Sequence, residues 1–414
     1  MDCRVTTLRQ AARCGLALAM AFAAAARTGA QPAGGSLTLE AAMERAFAAN
    51  PTIAAARLGR AINVAGLAVA SERLNPEGTV EFEKETPKQA FGVAVPLELG
   101  GKRAKRIAVS EATIRAGEAE LASTIAQVRN DVRRAYFDLV IAEARRGVLR
   151  ELRDLSRRAR DAAQTRFDSG DAPRLEVLQA DLALATAENE AAAADAAVFA
   201  ATAKLNAVLG LPLDTAQALA TTVDPSGPVI TATVLTLARS GSAELALIDR
   251  RIDEQRARLE LARALRVPDV VPTATLTHGA EPEFTYGWRA GVAVTLPLFT
   301  THKAGVTVEE ATLAQLGEQR RAALMRIDGE VTAASATAEA QRVAYLRYRD
   351  VILPQAQQVE QLAQDSYQLG QTGIAALLQA LQASRDVRLR SLDAVAQFHT
   401  ALADLERTVG APLP

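Results

Sequence analysis

Two stretches of this chain, about 200 residues apart, repeat one pattern. The stretch from Phe91 to Ile114 reads FGVAVPLELGGKRAKRIAVSEATI, and the stretch from Ala290 to Leu313 reads AGVAVTLPLFTTHKAGVTVEEATL. Placing GVAV on GVAV also superposes EAT on EAT without a gap. A second pair agrees, because RFDSGDAPRLEVLQA at 166–180 aligns with SYQLGQTGIAALLQA at 366–380. The period is far longer than that of a solenoid, so the sequence predicts one long unit duplicated in tandem.

The first thirty residues have the three parts of a secretory signal peptide. Three arginines precede the charge-free run GLALAMAFAAAA, and small residues follow it up to Ala30. The apolar run is about half the length that a membrane-spanning helix needs. We therefore predict that residues 1–30 are a signal peptide and that the chain is exported. An exported chain could be periplasmic, secreted or an outer-membrane barrel.

Composition excludes several classes of protein. Both cysteines, Cys3 and Cys14, lie inside the predicted signal peptide, so the mature chain is expected to have no disulfide and no thiolate metal site. Removing that segment takes away four arginines and one aspartate, which changes the net charge from −1 to −4. This charge does not suit a nucleic-acid binder. After Ala30 no window of about 18 residues is free of charge, which argues against ordinary transmembrane helices.

The remaining sequence predicts a mainly helical protein with a small β part. Hydrophobic residues make up 49 % of the chain but aromatic residues only 4 %. Much of the hydrophobic fraction is alanine, which favours long, closely packed helices. Residues 31–213 form the predicted first repeat, 214–228 a turn-rich connector and 229–414 the second repeat. The predicted elements are helices over 39–74 with a break at Asn50-Pro51, strands 78–86 and 91–99, long helices 102–169 and 173–208, strands 271–278 and 287–299, and long helices 303–369 and 374–409.

The long helices carry the spacing of a coiled coil. From Ile114 to Ala142 the apolar positions follow one another at three, four or seven residues, which is a coiled-coil seam. At helical rise, the helix predicted from Lys102 to about Ser169 is roughly 100 Å long. Pro173 is predicted in the first turn of the returning helix, and Pro354 is expected to kink the helix that contains it.

The strands alternate between apolar and small or polar residues. Both halves assign the same apolar face, because Val93 and Val292 occupy equivalent positions. Six of the sixteen aromatic residues lie in or beside these strands, as expected for the interfacial girdles of a membrane β-barrel. Four strands cannot close a barrel, so either a helix covers a soluble sheet or several chains share one barrel. The predicted lipid-facing residues are Val80, Phe82, Val93, Val95, Trp288, Val292 and Val294.

These features together resemble the TolC-like outer-membrane efflux protein family. The resemblance covers the mature chain nearly end to end: the opening LTLEAA at 37–42, ANP at 49–51, both strand-to-helix junctions, and both turns followed by LQA. Within the family, PLELGGKR at 96–103 followed by Arg106 resembles the outer-membrane members of cobalt, zinc and cadmium exporters. We expect the two junctions to differ in shape, because the glycine pair at 100 and 101 has no counterpart at 299–302.

The resemblance implies a fold, a location and partners. It implies a homotrimer in the outer membrane, with four strands per chain in a twelve-stranded barrel that a helical tunnel continues through the periplasm. It implies a periplasmic adaptor and an inner-membrane pump of the proton-driven RND class as partners, with outer-membrane lipid around the barrel and no cofactor. It places both turns at the periplasmic tip. The residues that it suggests for adaptor contact are Arg166, Phe167, Gly170, Leu178, Tyr367, Gly370 and Leu378.

Acidic residues near the first turn suggest a constriction that favours cations. Well-known members of the family carry two aspartates after the second turn, but Ala376 and Gln379 stand in those places here. We therefore hypothesise that a threefold ring is supplied by acidic residues of the first turn. Helix capping and solvated helix faces are the alternative explanation. The candidates are Asp168, Asp171, Glu176 and Asp181.

No catalytic or metal-binding constellation emerges from the sequence. His278, His302 and His399 are isolated, and no carboxylate or thiolate spacing accompanies them. The resemblance, with no such site beside it, implies a passive exit channel of a tripartite efflux system that conducts metal cations. A soluble periplasmic coiled-coil adaptor is the alternative, although it leaves the duplicated strand-to-helix junctions unexplained. A periplasmic hydrolase is a third possibility that no particular residue supports.

Overall fold

The computed structural model of the protein describes residues 36–220, 224 and 227–413. The predicted signal peptide and part of the predicted connector lie outside the described residues. The elements in chain order are α1 Leu39–Ala49, α2 Pro51–Ser71, β1 Glu77–Phe82, β2 Gln89–Ala94, α3 Lys102–Asp168, α4 Arg174–Leu209, α5 Thr231–Gly241, α6 Ala243–Ala264, β3 Val270–Ala280, β4 Phe284–Val294, α7 Lys303–Arg347, a π-helix Tyr348–Ile352, α8 Leu353–Gln368 and α9 Ile374–Val409. This mainly helical fold with four strands confirms the predicted fold class.

Side-chain caps explain where the first helices begin. The Thr38 hydroxyl accepts a hydrogen bond from the Ala41 amide at 3.2 Å, which is an N-cap. Asn50 caps the second helix by accepting from the Thr52 amide at 2.8 Å, and its own amide donates to the Val208 carbonyl at 2.9 Å. The predicted break at Asn50-Pro51 is therefore confirmed, and the same asparagine ties α2 to the end of α4.

The two proline positions differ slightly from their predictions. Pro173 lies just before α4 as its N-cap residue, because the helix begins at Arg174. Pro354 lies in the first turn of α8, and the π-helix immediately precedes it. A proline ring would collide with the carbonyl four residues earlier, and a wider π turn relieves that contact. The predicted helix 303–369 is therefore interrupted before Pro354.

The four strands form one antiparallel sheet in the order β1-β2-β3-β4. The predicted strand limits were wrong by several residues. β2 ends at Ala94 because Pro96 has no amide to donate, although the Val95 and Leu97 amides still bond to carbonyls of the β3 segment. β4 ends at Val294 because its partner β3 begins directly opposite, at Val270. Strand ends are thus set by neighbouring strands, which periodicity does not reveal.

The helices pack around several apolar clusters. One cluster joins α1 to α4 through buried side chains that include Val132, Leu139 and Leu205. From Leu121 to Ala142, the predicted seam of α3 lies in this cluster or packs against it. A second cluster joins the far ends of α3 and α4 to α8 and α9, with Tyr367 and Leu377 at its centre. The two helical hairpins of the chain are therefore packed against each other at the end away from the sheet.

Two helices are long and apolar enough, by length and composition alone, to cross a membrane, although both contain charged residues. They are Pro51–Ser71 and Arg174–Leu209, in which 6 % and 33 % of an apolar 18-residue window is buried. Both lie beside α3, and Arg60 of the first helix forms a 2.8 Å ion pair with Glu118 of α3. Length and composition alone are weak grounds for a span, and these helices are part of the helical body.

Candidate functional site

One face of the sheet is apolar and exposed. Val80, Phe91, Leu276 and Trp288 lie opposite one another across the four strands, and the Trp288 side chain is 82 % exposed. A monomeric soluble protein rarely exposes so continuous an apolar surface. All seven residues that the sequence assigned to lipid are exposed, namely Val80, Phe82, Val93, Val95, Trp288, Val292 and Val294.

The opposite face carries small and polar side chains. Thr79, Gly92, Thr275 and Arg289 form one row across the sheet. A side chain at Gly92 would collide with the Thr79 hydroxyl and touch that of Thr275, so all three point to the same side. Glycine at this position lets neighbouring side chains approach the backbone closely. The sheet therefore has one face suited to lipid and one suited to water.

Both edges of the sheet lack a strand partner within the described residues. β1 pairs only with β2, and β4 pairs only with β3. Most of β1 and β4 is also exposed on both faces. Open edges with free amides and carbonyls are templates for pairing with another strand. A second chain is therefore the expected partner of each edge.

An ion pair fixes the first strand-to-helix junction. The buried Lys102 ammonium lies 2.7 Å from Asp269, which also accepts a hydrogen bond from the Leu99 amide at 3.0 Å. The start of α3 is thereby joined to the start of β3. The two junctions differ as expected, because Gly100 and Gly101 both have positive φ whereas His302 alone has positive φ at the second junction.

The two helical turns meet at the end of the molecule away from the sheet. Tyr367, which is 1 % exposed, donates its hydroxyl hydrogen bond to Glu176 at 3.1 Å. The Arg166 guanidinium lies 4.8 Å from the centre of the Tyr367 ring. Burial, together with the negative charge of Glu176, raises the pKa of Tyr367 to about 12. The phenol therefore stays protonated and joins the second hairpin to the first.

The four acidic candidates for a constriction have different surroundings. Asp181 forms a 3.0 Å ion pair with Arg160, and Glu176 accepts from Tyr367, so both act within the chain. Asp171 bonds to the Ser169 hydroxyl and Asp168 to the Gln164 amide, and these two carboxylates are exposed at the turn. Asp168 and Asp171 remain the candidates for a ring of charge.

Only part of the predicted adaptor-contact set is accessible in the chain. Phe167 and Leu178 are exposed, and Gly170 and Gly370 lie at the turns with positive φ. Tyr367 is buried between the hairpins, and its contact with an adaptor stays a prediction. Arg166 and Leu378 are half-buried against the same contact. The ring of Tyr367 and the side chain of Leu378 pack between the hairpins. A sequence pattern cannot distinguish such packing from a docking surface.

Sequence analysis missed a set of arginine contacts that hold α9 to the first hairpin. Arg385 pairs with Glu190 of α4 at 2.6 Å, and Arg388 pairs with Glu151 of α3 at 2.8 Å. Arg388 also reaches the buried Glu360 of α8 at 3.2 Å. The sequence showed only charge on α9, which does not identify partners in the first hairpin that are 195 and 237 residues away.

Two of the three histidines pack against aromatic rings. His399 is buried and stacks on Phe137 with ring centres 3.5 Å apart, and His278 packs against Tyr286. Among the described residues, no group of three or more histidine, cysteine, aspartate or glutamate side chains could hold a metal ion.

We expect Tyr367→Phe to loosen the contact between the hairpins. The change removes the only hydrogen bond from the ring hydroxyl to Glu176, and hydrogen bonds to charged groups contribute about 1.5–3 kcal/mol. Hydrogen exchange of amides in 164–178 and 364–378 should become faster. Tyr348→Phe is the control, since its hydroxyl makes no hydrogen bond to the described residues; equal effects of both changes would contradict the assignment.

Comparisons with known proteins agree with this architecture. The sequence profile of the family "Outer membrane efflux protein" matches residues 42–211 and 234–411. The chain is 26 % identical to the cobalt-zinc-cadmium resistance protein CzcC of Cupriavidus metallidurans over 91 % of each chain. It also resembles the CmeC outer membrane channel of Campylobacter jejuni, with a TM-score of 0.75, 15 % identity and coverage of 93 % of this chain and 90 % of that one. VceC of Vibrio cholerae gives a TM-score of 0.73 at 17 % identity, covering 91 % and 97 %.

The family profile covers most of the chain and includes the helices of both hairpins and all four strands. The solved structures share its fold, in which long helical hairpins continue from a small sheet. The chain therefore belongs to the outer membrane efflux protein family, and its location is the outer membrane with a helical extension into the periplasm.

Proposed function

We propose that this chain forms a homotrimeric exit channel through which substrate leaves a tripartite efflux system. The observation that carries the proposal is the sheet: four strands, two open edges, and an exposed apolar face opposite a polar one. Three such sheets give twelve strands, enough for a barrel with a water-filled interior, whereas four strands cannot close. The apolar face would then contact lipid and the polar face would line the pore.

The helical body supports the same assembly. α4 carries a fully exposed seam at three- and four-residue spacing, which is the pattern of an unpaired coiled-coil helix. A second set of exposed apolar residues begins in the π-helix at Val351, continues in α8 at Leu362 and ends at Leu369, directly after α8. A contact between two different surfaces of identical chains is head-to-tail, and such contacts form a ring when the rotation between the chains closes. The seam on α4 consists of Leu175, Leu178, Leu182, Ala185, Asn189, Ala192, Ala196 and Phe199.

The length of the helices suits a periplasmic duct. α3 has 67 residues, so it is about 100 Å long, several times the thickness of a bilayer core. The ring of helices would continue the barrel toward an inner-membrane RND pump, with an adaptor docked near the turns at Gly170 and Gly370. We propose divalent metal cations as substrate because of the similarity to CzcC. Selection would then rest with the pump, and the channel would conduct passively.

Subcellular fractionation and a resistance assay test this function together. Cells that lack the chain should become more sensitive to cobalt, zinc or cadmium, and the protein should be recovered from outer membranes as a trimer. Recovery as a soluble periplasmic protein would favour an adaptor instead. Unchanged metal sensitivity with a normal outer-membrane trimer would overturn only the choice of substrate.

We expect Asp168→Asn combined with Asp171→Asn to lower the preference of the channel for cations. These exposed carboxylates lie at the first turn, where three chains would bring six of them around the axis. The reversal potential under a salt gradient measures the preference. Asp181→Asn is the control, because Asp181 is paired with Arg160. The ring is excluded if the double variant keeps the selectivity of the unchanged protein.

A further inference from the structure

On the polar face of the sheet, the two open edges carry opposite charges. In β1 the residues on this face include Glu77 and Glu81, and the alternation continues to Glu83, whose amide still bonds to the Lys88 carbonyl at 3.0 Å. In β4 the same face carries Arg289. Between β1 and β4, the paired residues on this face of β2 and β3 are alanine, glycine and threonine. Just before β2, Lys88 lies opposite Glu83 and packs over Gly279. Carboxylates therefore lie at one open edge and a guanidinium at the other.

This distribution of charge favours one way of pairing the open edges of neighbouring sheets. Two β1 edges from different chains would place glutamates against glutamates, and two β4 edges would place Arg289 near its own copy. Like charges directly opposite each other destabilise a pair of strands, and opposite charges stabilise it. The complementary arrangement is β4 of one chain against β1 of the next. That contact is head-to-tail, so it continues from chain to chain and can close into a ring instead of ending at a dimer.

The internal repeat supplies the register of this contact. Gly92 and Gly291 are equivalent in the repeat, and they lie opposite Thr79 and Thr273, respectively. Thr79 is therefore equivalent to Thr273, and four residues further on Glu83 is equivalent to Thr277. Within one chain the two repeats meet where β2 pairs with β3. In the repeat, β4 is equivalent to β2 and β1 is equivalent to β3. Pairing of β4 with β1 of the next chain would therefore reproduce, between two molecules, the pairing of β2 with β3 within one chain.

In the contact within the chain, Ala90 lies opposite Thr277. The equivalent of Ala90 is Arg289, and the equivalent of Thr277 is Glu83. Resting on the trimer proposed above, we propose that Arg289 of each chain lies directly opposite Glu83 of the next chain and forms an ion pair on the polar face of the seam. The same equivalence places Ala293 opposite Thr79 of the next chain, because Ala94 lies opposite Thr273 within the chain.

Disulfide trapping tests the register with a first cysteine pair that alters no charge. The sequence has cysteines only at positions 3 and 14, so introduced thiols meet little background. Full-length protein with Ala293→Cys and Thr79→Cys should form covalent trimers on mild oxidation in outer membranes. The control pairs Ala293→Cys with Glu83→Cys, which would lie about 13 Å out of register. Trapping by the control pair and not by the first pair would overturn the register.

Charge exchange tests the ion pair. Arg289→Glu and Glu83→Arg should each lower the temperature at which the detergent-resistant trimer dissociates, and combining them should restore most of the loss. Arg289→Glu combined with Glu77→Arg is the matched control, because Glu77 falls opposite Thr295 and should give no rescue.

The outcomes separate the seam from the trimer. A trimer that shows both trapping at 293 and 79 and rescue by the 289 and 83 exchange supports the proposal. A trimer without rescue, or with rescue by the Glu77 control, overturns the ion pair and leaves the proposed channel intact. A protein that is monomeric in outer membranes overturns both.

Discussion

Replacing Val93 with arginine is expected to prevent stable insertion of the protein into the outer membrane. Val93 lies on the apolar face of β2, an inner strand of the sheet, and is 51 % exposed in the chain. A charged residue on the lipid face near the bilayer midplane costs about 2–4 kcal/mol per chain, and a trimer carries it three times. The amount of detergent-resistant trimer in purified outer membranes measures the effect.

Ala94→Arg is the matched control for this prediction. Ala94 is the next residue of the same strand and points to the polar face, where a long cationic side chain can reach water. We expect most of the trimer to survive this change. If the two arginine variants inserted equally well, the apolar face of the sheet would not be the surface that contacts lipid.

Arg133→Ala is expected to have the second large effect, on the stability of the helical body. Arg133 of α3 and Glu406 of α9 form a 2.5 Å ion pair in which the glutamate side chain is only 2 % exposed. The carboxylate also accepts a hydrogen bond from the Leu413 amide at 2.9 Å. Removing the arginine leaves a buried charge without its counter-ion, which costs about 3–5 kcal/mol.

The neighbouring Arg134 provides the comparison. It pairs with Asp404 at 2.6 Å, but both side chains are more than one-third exposed, and exposed pairs contribute about 0–1 kcal/mol. Thermal unfolding of the two alanine variants should therefore differ clearly, with Arg133→Ala melting well below Arg134→Ala. Similar melting temperatures would show that burial of Glu406 does not govern the contribution of the pair.

Most ends of the long helices could be predicted from the sequence because their determinants are local. Thr38, Asn50 and the glycines of both turns act within a few residues of the ends they define, and the seam of α3 repeats over many turns. The strands were less predictable. The end of β4 depends on where β3 begins, and alternation of apolar residues continues past that point in Leu296 and Leu298.

The part of the candidate site that could be predicted from the sequence is the apolar face of the sheet. The apolar face followed from alternation, since every second residue of a strand shares a face. Contacts between distant charges did not follow: Lys102 and Asp269 are separated by more than half of one repeat, and nothing in their local sequence links them. The burial of Tyr367 likewise depends on packing between two hairpins, which the residues around the turn do not reveal.

Conductance of the purified protein in planar lipid bilayers tests the central claim most directly. Protein extracted from outer membranes, with its trimeric mass verified, should produce discrete current steps that depend on the number of inserted trimers. Trp288 and the rest of the apolar face would lie in lipid while ions pass along the opposite face. A pure, folded protein that remained monomeric and gave no current steps would contradict the account of a shared barrel.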